Sequence, residues 1–217
     1  MRSGSRPLLT YTVIGVCVVM YLLQLVTGSA VTERLWYAPV HTSAWSFEPW
    51  RMLTSAVLHS PSSAMHIFFN MMALWLIGRV LEPALGAWRY GALLLLSAYG
   101  GSVAVLFLTP ASIPTVGASG AVFGLFGALF ILLRSSGAQT GGILVLIGIN
   151  VAVSLLVPQI SWQGHFGGLL IGTLCALLIS AVPRSRRRSA WHGLGLGAIA
   201  ALLLILTGVG VPLVAPM

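Results

Sequence analysis

Seven long apolar stretches occupy most of this chain and restrict its fold more than any other feature. Hydrophobic residues make up 58% of the sequence and charged residues only 6%, against about 25% charged residues in an ordinary soluble domain. A bilayer core about 30 Å thick is crossed by about 20 apolar helical residues. The sequence therefore predicts an all-α polytopic membrane protein, a single bundle with spans at residues 8–27, 64–81, 88–108, 118–133, 141–157, 163–182 and 192–214.

The arginines predict how the spans are oriented, because positive residues accumulate in cytoplasmic loops. If the N-terminus is cytoplasmic, only Arg34 and Arg51 fall on the outer side. We therefore expect a multi-pass protein of the plasma membrane with an external C-terminus. The run Arg184–Arg188 is then a membrane anchor, able to contact anionic lipid head groups, and no nucleic-acid partner is expected. The inner side receives Arg2, Arg6, Arg79, Arg89, Arg134, Arg184, Arg186, Arg187 and Arg188.

The N-terminal region is predicted from its length and its aromatic content. The first apolar run has about 19 residues, more than the roughly 7–15 of a signal peptide, which favours a span retained in the mature protein. The outer connection, residues 28–63, fits a loop in the interfacial layer, where aromatic rings concentrate. An ordinary hydrophobic loop packed on the bundle fits as well. The aromatic residues are Trp36, Tyr37, Trp45, Phe47 and Trp50.

Four polar residues are predicted to lie at one depth in the membrane. The second, fourth and sixth spans all begin at the outer face, and His66, Asn70, Ser119 and His165 lie near those ends. Because polar groups within a membrane are costly, they indicate a functional site by default. Taken alone, Ser119 is more often a capping or packing serine, and His165 a hydrogen-bonded structural histidine.

Glycines spaced four residues apart predict that the fourth and sixth spans pack closely. Gly120 and Gly124 form such a stripe on the fourth span, and Gly164, Gly168 and Gly172 form one on the sixth. Small residues at this spacing allow helix backbones to approach in lipid. The contact would bring the serine and the histidine beside these stripes within reach of each other.

The composition then limits the catalytic chemistry. The chain has no lysine and no aspartate, which excludes a Ser-Lys dyad and a Ser-His-Asp triad. The three acids, Glu33, Glu48 and Glu82, are predicted far from His165, and no H-E-x-x-H zinc motif is present. A dyad remains, in which Ser119 is the nucleophile and His165 the general base. No metal or cofactor is expected.

An oxyanion formed during such a reaction needs hydrogen-bond donors. The N-terminus of the fourth helix offers free backbone N–H groups near Ser119, including its own. His66 and Asn70, at i and i+4 on the second span, can supply side-chain donors. The alternative is that these two residues only form interhelical hydrogen bonds that hold the bundle together.

At these positions the chain resembles the rhomboid family of intramembrane serine proteases. The matching motifs are Trp50-Arg51, His66-x-x-x-Asn70, Gly117-x-Ser119-Gly120 and Gly164-His165-x-x-Gly168, in this order, and the resemblance covers about residues 8–182. It implies a six-helix catalytic core at residues 1–182, followed at 183–217 by a basic inner loop and a seventh transmembrane helix.

The resemblance also implies roles for single residues. Ser119 would be the nucleophile, His165 the base, and His66, Asn70 and the Ser119 N–H the oxyanion donors. Phe123 would stack on the His165 ring and orient it in place of a carboxylate. Many relatives have tyrosine at this position, so stacking can persist here, whereas a phenol hydrogen bond cannot.

The implied function is an endopeptidase that cleaves transmembrane segments of membrane-anchored proteins near the outer face. An intact helix hides its carbonyl groups in hydrogen bonds, so substrates need helix-weakening residues at the cleavage depth. Two alternatives remain open. One is a catalytically silent relative that binds membrane helices, and the other is a small transporter built around polar helix ends.

Overall fold

The structure is a computed structural model that describes residues 6–183 and 186–214, and most of this backbone is helical. Arg2 and Arg184, two of the arginines used to predict the orientation, lie outside the described residues, as do the chain ends 1–5 and 215–217. The helices are α1 (Leu8–Thr27), α2 (Ser29–Leu35), α3 (Arg51–Thr54), α4 (Ala64–Leu85), α5 (Ala87–Leu108), α6 (Ser119–Ser135), α7 (Gly141–Leu156), α8 (Trp162–Ala181) and α9 (Arg188–Gly210).

The prediction of an all-α polytopic membrane protein is confirmed, since each predicted span coincides with one of the seven longest described helices. By length and composition, α1, α4, α5, α8 and the segment Arg188–Leu213 can each cross a membrane, while α6 and α7 are shorter apolar helices. The second span was predicted to stop at residue 81, but α4 continues to Leu85. Glu82 lies within this helix, and its buried carboxylate has hydrogen-bond partners on α1.

Glu82 joins the end of α4 to the start of α1. Its carboxylate accepts hydrogen bonds from the backbone N–H groups of Leu9 and Thr10, at 3.0 and 2.8 Å, and from the Thr10 hydroxyl at 2.7 Å. The first N–H groups of a helix lack intrahelical partners, and a negative charge there also interacts favourably with the helix dipole. The carboxylate therefore caps α1 and fixes it against α4.

The predicted close packing of the fourth and sixth spans is confirmed by the contact between α6 and α8. A methyl group at Gly168 would collide with the Gly120 carbonyl, and one at Gly172 would collide with Gly124. On the other face of α8, a methyl group at Gly167 would collide with the carbonyl of Gly100 in α5. The helices α5, α6 and α8 therefore form the closely packed centre of the bundle.

The loop between α1 and α4 is held by an arginine. Arg51 Nε lies 2.6 Å from Glu48 Oε2, and Arg51 Nη1 donates to the Glu33 carbonyl at 2.6 Å. The hydrogen bond from Arg51 lowers the pKa of Glu48, so this carboxylate stays ionised to more acidic pH. Trp45 and Phe47 are exposed on this loop, as expected for rings at a membrane interface.

The last long helix, α9, packs beside α5. Arg89 Nε donates to His192 Nδ1 at 2.7 Å, and His192 Nε2 lies 3.1 Å from the Ile179 carbonyl near the end of α8. Farther along the same pair of helices, the hydroxyls of Tyr99 and Thr207 are 2.7 Å apart. These polar contacts give α9 a defined register on the bundle.

Candidate active site

Ser119 is the first residue of α6, and the local backbone leaves donors around it. The first intrahelical bond runs from the Val122 N–H to the Ala118 carbonyl at 3.0 Å. The N–H groups of Ser119, Gly120 and Ala121 precede that bond and have no partner within the helix. They point toward the helix start, where the dipole also favours negative charge.

His165 lies in the first turn of α8 with its ring stacked on Phe123. The ring centroids are 4.1 Å apart and the planes are inclined by 17°. The start of α8 is fixed by the Ser161 hydroxyl, which accepts the Gly164 N–H at 3.3 Å. Phe123 follows Ser119 by one helical turn, so the serine and the stacked imidazole lie on the same side of α6.

The helices that carry Ser119 and His165 touch at the adjacent residues. A methyl group at Gly120 would lie 3.4 Å from the Gly164 carbonyl oxygen. Among the described residues the His165 side chain has one hydrogen bond, and Ser119 does not take part in it. Catalytic hydrogen bonds are often long before substrate binds, so this geometry is compatible with proton transfer between the two side chains.

His66 faces Ser119 across Gly117. A methyl group on Gly117 would lie 2.8 Å from His66 Nε2 and 3.6 Å from Ser119 Oγ, and φ of Gly117 is +132°. The Ser60 N–H donates to His66 Nδ1 at 3.2 Å. Because a neutral imidazole carries one proton, Nε2 is then the protonated nitrogen. His66 therefore presents an N–H donor on the side of the nucleophile.

Asn70 lies one turn after His66 on α4 and is buried. Its Nδ2 donates to the His66 carbonyl at 2.8 Å. An amide nitrogen has two protons, so one donor remains after this bond is made. The structure thus keeps His66 and Asn70 on one face of α4, as the sequence predicts.

A small cavity of about 40 Å³ adjoins Ser119. Its lining includes the side chains of Ser55, Ser102 and Ser161, from three different parts of the chain. A polar cavity of only about 10–15 Å³ is large enough to hold a water molecule. Water can therefore be held next to the serine.

Comparison with known proteins identifies the fold. A family model described as the rhomboid domain matches residues 46–182. "Rhomboid protease GluP" of Bacillus subtilis (strain 168) is 33% identical over 96% of this chain and 40% of its own length. The chain belongs to the rhomboid family. With its apolar helices, this rhomboid is an integral, multi-pass membrane protein.

Other rhomboids have similar identity over shorter segments. "RHOMBOID-like protein 6, mitochondrial" of Arabidopsis thaliana is 34% identical over 64% of this chain and 46% of its own length. "Rhomboid protease GlpG" of Yersinia pestis (strain Pestoides F) is 31% identical over 81% of this chain and 64% of its own length. The chain spans less than half the length of the first two relatives.

Two contacts in this rhomboid were not predicted from the sequence. Ser154 Oγ lies 2.6 Å from His165 Nδ1. His59, on the loop before α4, is buried with its ring tilted against that of His66 at 5.2 Å. Burial lowers the pKa of His59 to about 3, so this ring stays neutral beside His66. The sequence did contain an indication that Ser154 has a specific contact, because Asn150 and Ser154 are the only polar side chains of α7.

Within residues 6–183 and 186–214, no group of three or more His, Cys, Asp or Glu side chains could hold a metal ion. The groups that meet around Ser119 are an imidazole, backbone and side-chain N–H donors and hydroxyls. Such groups suit proton transfer and the stabilisation of a developing negative charge.

Proposed function

We propose that this rhomboid is an intramembrane serine endopeptidase that works through a Ser119–His165 dyad. The observation that carries the proposal is the stacking of His165 on Phe123, one turn after Ser119, with His66 Nε2 on the other side of Gly117. Two relatives named as proteases support the same activity. The alternative is a catalytically silent relative that binds membrane helices. Such a protein would not require a reactive Ser119.

In the acylation step, Ser119 Oγ attacks the carbonyl carbon of the scissile peptide bond while His165 Nε2 takes the hydroxyl proton. The carbonyl oxygen becomes an oxyanion, for which His66 Nε2–H, the free Asn70 N–H and the Ser119 backbone N–H are donors. The C–N bond then breaks, and His165 gives its proton to the leaving amine. The products are an acyl-enzyme, in which Ser119 carries the N-terminal part of the substrate, and a released C-terminal fragment with a new amino terminus.

Deacylation repeats these steps with water as the nucleophile. The cavity beside Ser119 supports this step, because its serine side chains can hold a water molecule near the acyl carbon. His165 takes a proton from the water, and Ser119 Oγ leaves with that proton. No cofactor is needed for either half-reaction.

The proposed substrates are membrane-anchored proteins whose transmembrane segments unwind near the outer face. The helices α4, α6 and α8 carry the site at their N-terminal ends, so a peptide must expose its carbonyl groups at that depth. We also propose, from the distribution of arginines, a plasma-membrane location with a cytoplasmic N-terminus and external C-terminus.

The test is labelling of the purified full-length protein in detergent with a fluorophosphonate, together with cleavage of a model transmembrane substrate. Labelling is expected at Ser119, absent in Ser119→Ala and sharply reduced in His165→Ala. Ser136→Ala, at the other end of α6, is the control and should label normally. Unchanged labelling or cleavage in Ser119→Ala would rule out the proposed dyad.

A further inference from the structure

We propose that Ser154 is a positioning residue for the base, because its hydroxyl accepts a hydrogen bond from His165 Nδ1–H and so keeps the lone pair of Nε2 free for Ser119. The inference rests on the proposed function, since it assigns to a neutral side chain of α7 the position of the carboxylate in a catalytic triad. It starts from the 2.6 Å contact between Ser154 Oγ and His165 Nδ1.

Counting protons fixes the direction of this hydrogen bond. Ser154 Oγ also lies 2.6 Å from the Asn150 carbonyl oxygen, which can only accept. A hydroxyl has one proton and can accept through its lone pairs. Both short contacts are hydrogen bonds only if Ser154 donates to Asn150 and accepts from His165. The reverse arrangement would place two acceptor oxygens 2.6 Å apart.

This arrangement determines which nitrogen can act as a base. A neutral imidazole with its proton on Nδ1 has its lone pair on Nε2. That tautomer can take the Ser119 proton, whereas the tautomer protonated at Nε2 cannot. The hydrogen bond to Nδ1 is also retained in the imidazolium that forms, and a hydroxyl that already donates to a carbonyl is a stronger acceptor.

The position of Ser154 is rigid. The residue is 4% exposed, and its bond to the carbonyl four residues earlier holds the hydroxyl against the backbone of α7. Stacking on Phe123 fixes the plane of the His165 ring, but leaves the ring free to rotate within that plane. A hydrogen bond at Nδ1 removes this rotation, so the two contacts restrain different motions.

A neutral acceptor also suits this place in the molecule. An ionised carboxylate buried in the bundle would carry a desolvation penalty of several kcal/mol unless fully paired. Two of the three glutamates have other partners, since Glu48 is bonded to Arg51 and Glu82 to the start of α1. Serine supplies the acceptor without a charge.

The first experiment compares kinetics of full-length Ser154→Ala and Ser154→Thr on a model transmembrane substrate. Loss of one positioning hydrogen bond should lower kcat about tenfold in the alanine variant, with KM within about twofold of the original. The threonine variant keeps the hydroxyl and should recover most of kcat. A cavity of about 230 Å³, lined by Ser154, His165 and Trp162 among others, offers room for the extra methyl group.

Thr173→Ala is the matched control. Thr173 lies on α8 and, like Ser154, donates to the carbonyl four residues earlier, at 2.7 Å, but lies two helical turns beyond His165. The kcat of Thr173→Ala should remain within about twofold of that of the original protein. An unchanged kcat in Ser154→Ala, or an equal fall in Ser154→Ala and Ser154→Thr, would overturn the inference.

A second measurement does not depend on turnover. Nitrogen-15 NMR of the imidazoles, with the His165 signals identified by their loss in His165→Ala, should show the proton on Nδ1 in the original protein. In Ser154→Ala the population protonated at Nε2 should rise. A ring protonated mainly at Nε2 in the original protein would overturn the inference, even if Ser154→Ala does not fold.

The two proposals fail in different ways. If Ser119 of the original protein is not labelled by the fluorophosphonate, the proposed protease function fails, whatever the NMR spectrum shows. If Ser119 is labelled while Ser154→Ala leaves kcat and the tautomer unchanged, only the role of Ser154 fails.

Discussion

Gly117 occupies the point where the nucleophile and a proposed oxyanion donor meet. Alanine there would take a backbone conformation that L residues rarely adopt, with its methyl group 2.8 Å from His66 Nε2. We expect Gly117→Ala to displace the imidazole and lower kcat/KM by about 10²–10³, the usual effect of losing one oxyanion donor. The measurement is steady-state cleavage of a model substrate.

Gly137→Ala separates backbone strain from the effect on the site. Gly137 also has a positive φ, of +72°, but nothing lies within 4 Å of the position of an added methyl group. It should carry a similar conformational cost, about 1–3 kcal/mol, without loss of kcat/KM. Equal losses of activity in the two variants would mean that Gly117 acts through stability alone.

Phe123 is proposed to orient His165 by stacking. We expect Phe123→Leu to lower kcat about tenfold, because aromatic pairs contribute about 0.5–1.5 kcal/mol beyond their buried area. Phe126→Leu is the control, since Phe126 is equally buried and packs on Phe123 at 5.3 Å, away from the imidazole. A larger fall of kcat in Phe126→Leu, measured at matched thermal stability, would contradict this role.

At this scale the sequence predicts the residue types of the site better than their hydrogen bonds. Ser119, His165, His66 and Asn70 are predicted as site residues because helix order places them at one depth and because polar groups within a membrane are costly. Ser154 could not be assigned in this way. Its contact depends on the rotation of α7 about its own axis, which an almost uniformly apolar helix does not encode in any hydrophobic pattern.

At the scale of helices, the contact between α6 and α8 sets the site. A methyl group at Gly168 would overlap the backbone of Gly120, the residue after the nucleophile. We expect Gly168→Ala to push the two helices apart and to destabilise the protein by about 1–3 kcal/mol. The displacement should also reduce the labelling of Ser119 in the molecules that remain folded. Thermal unfolding and Ser119 labelling measure the two effects.

Gly148→Ala tests whether any glycine-to-alanine change in this bundle has the same result. Nothing lies within 4 Å of the methyl position at Gly148 in α7. Alanine is favoured over glycine inside a helix by about 0.5–1 kcal/mol, so this variant should be neutral or slightly more stable. A similar destabilisation in both variants would argue against close packing as the reason.

The capping of α1 by Glu82 gives a prediction for a second pair of helices. In Glu82→Gln only one oxygen remains to accept the N–H groups of Leu9 and Thr10, so we expect a loss of about 1–3 kcal/mol in the free energy of unfolding. Glu33→Gln, at an exposed position in α2, should change it by less than about 0.5 kcal/mol. Thermal unfolding in one detergent compares the two, and equal stabilities would contradict the capping role.

The helices themselves were largely predictable, because the length of an apolar stretch indicates a membrane helix whatever its neighbours are. The apolar stretch of the second span stops before the charged Glu82, and Pro83 normally marks a helix end, so the sequence does not show that α4 continues to Leu85. Only the fold shows that the Glu82 carboxylate is satisfied by another helix. The connection between the first two spans was predicted as a loop, whereas the structure contains the short helices α2 and α3 there, linked by the hydrogen bond from Arg51 to the Glu33 carbonyl.

On the scale of the whole molecule, the two ends of the bundle carry different sets of polar residues. The candidate site lies where α4, α6 and α8 begin, while Glu82, Arg89 and His192 tie helices together at the opposite end. The predicted division into a catalytic core at 1–182 and an accessory segment at 183–217 concerns α9, which His192 joins to Arg89 of α5 at that opposite end. It remains a prediction, and α9 is the element that tests it.

The test removes the polar contacts of His192 while keeping the full chain. In His192→Leu, Arg89 Nε and the Ile179 carbonyl lose their shared partner, and we expect a loss of about 1–3 kcal/mol in stability. Because these contacts are made with α5 and the end of α8, remote from Ser119, fluorophosphonate labelling per folded molecule should stay within about twofold. Leu202→Ala, at an exposed position of α9, is the control for a substitution in this helix that removes no polar contact. If labelling of Ser119 fell tenfold in His192→Leu while the protein stayed folded, α9 would belong to the catalytic unit and the division at residue 182 would be wrong.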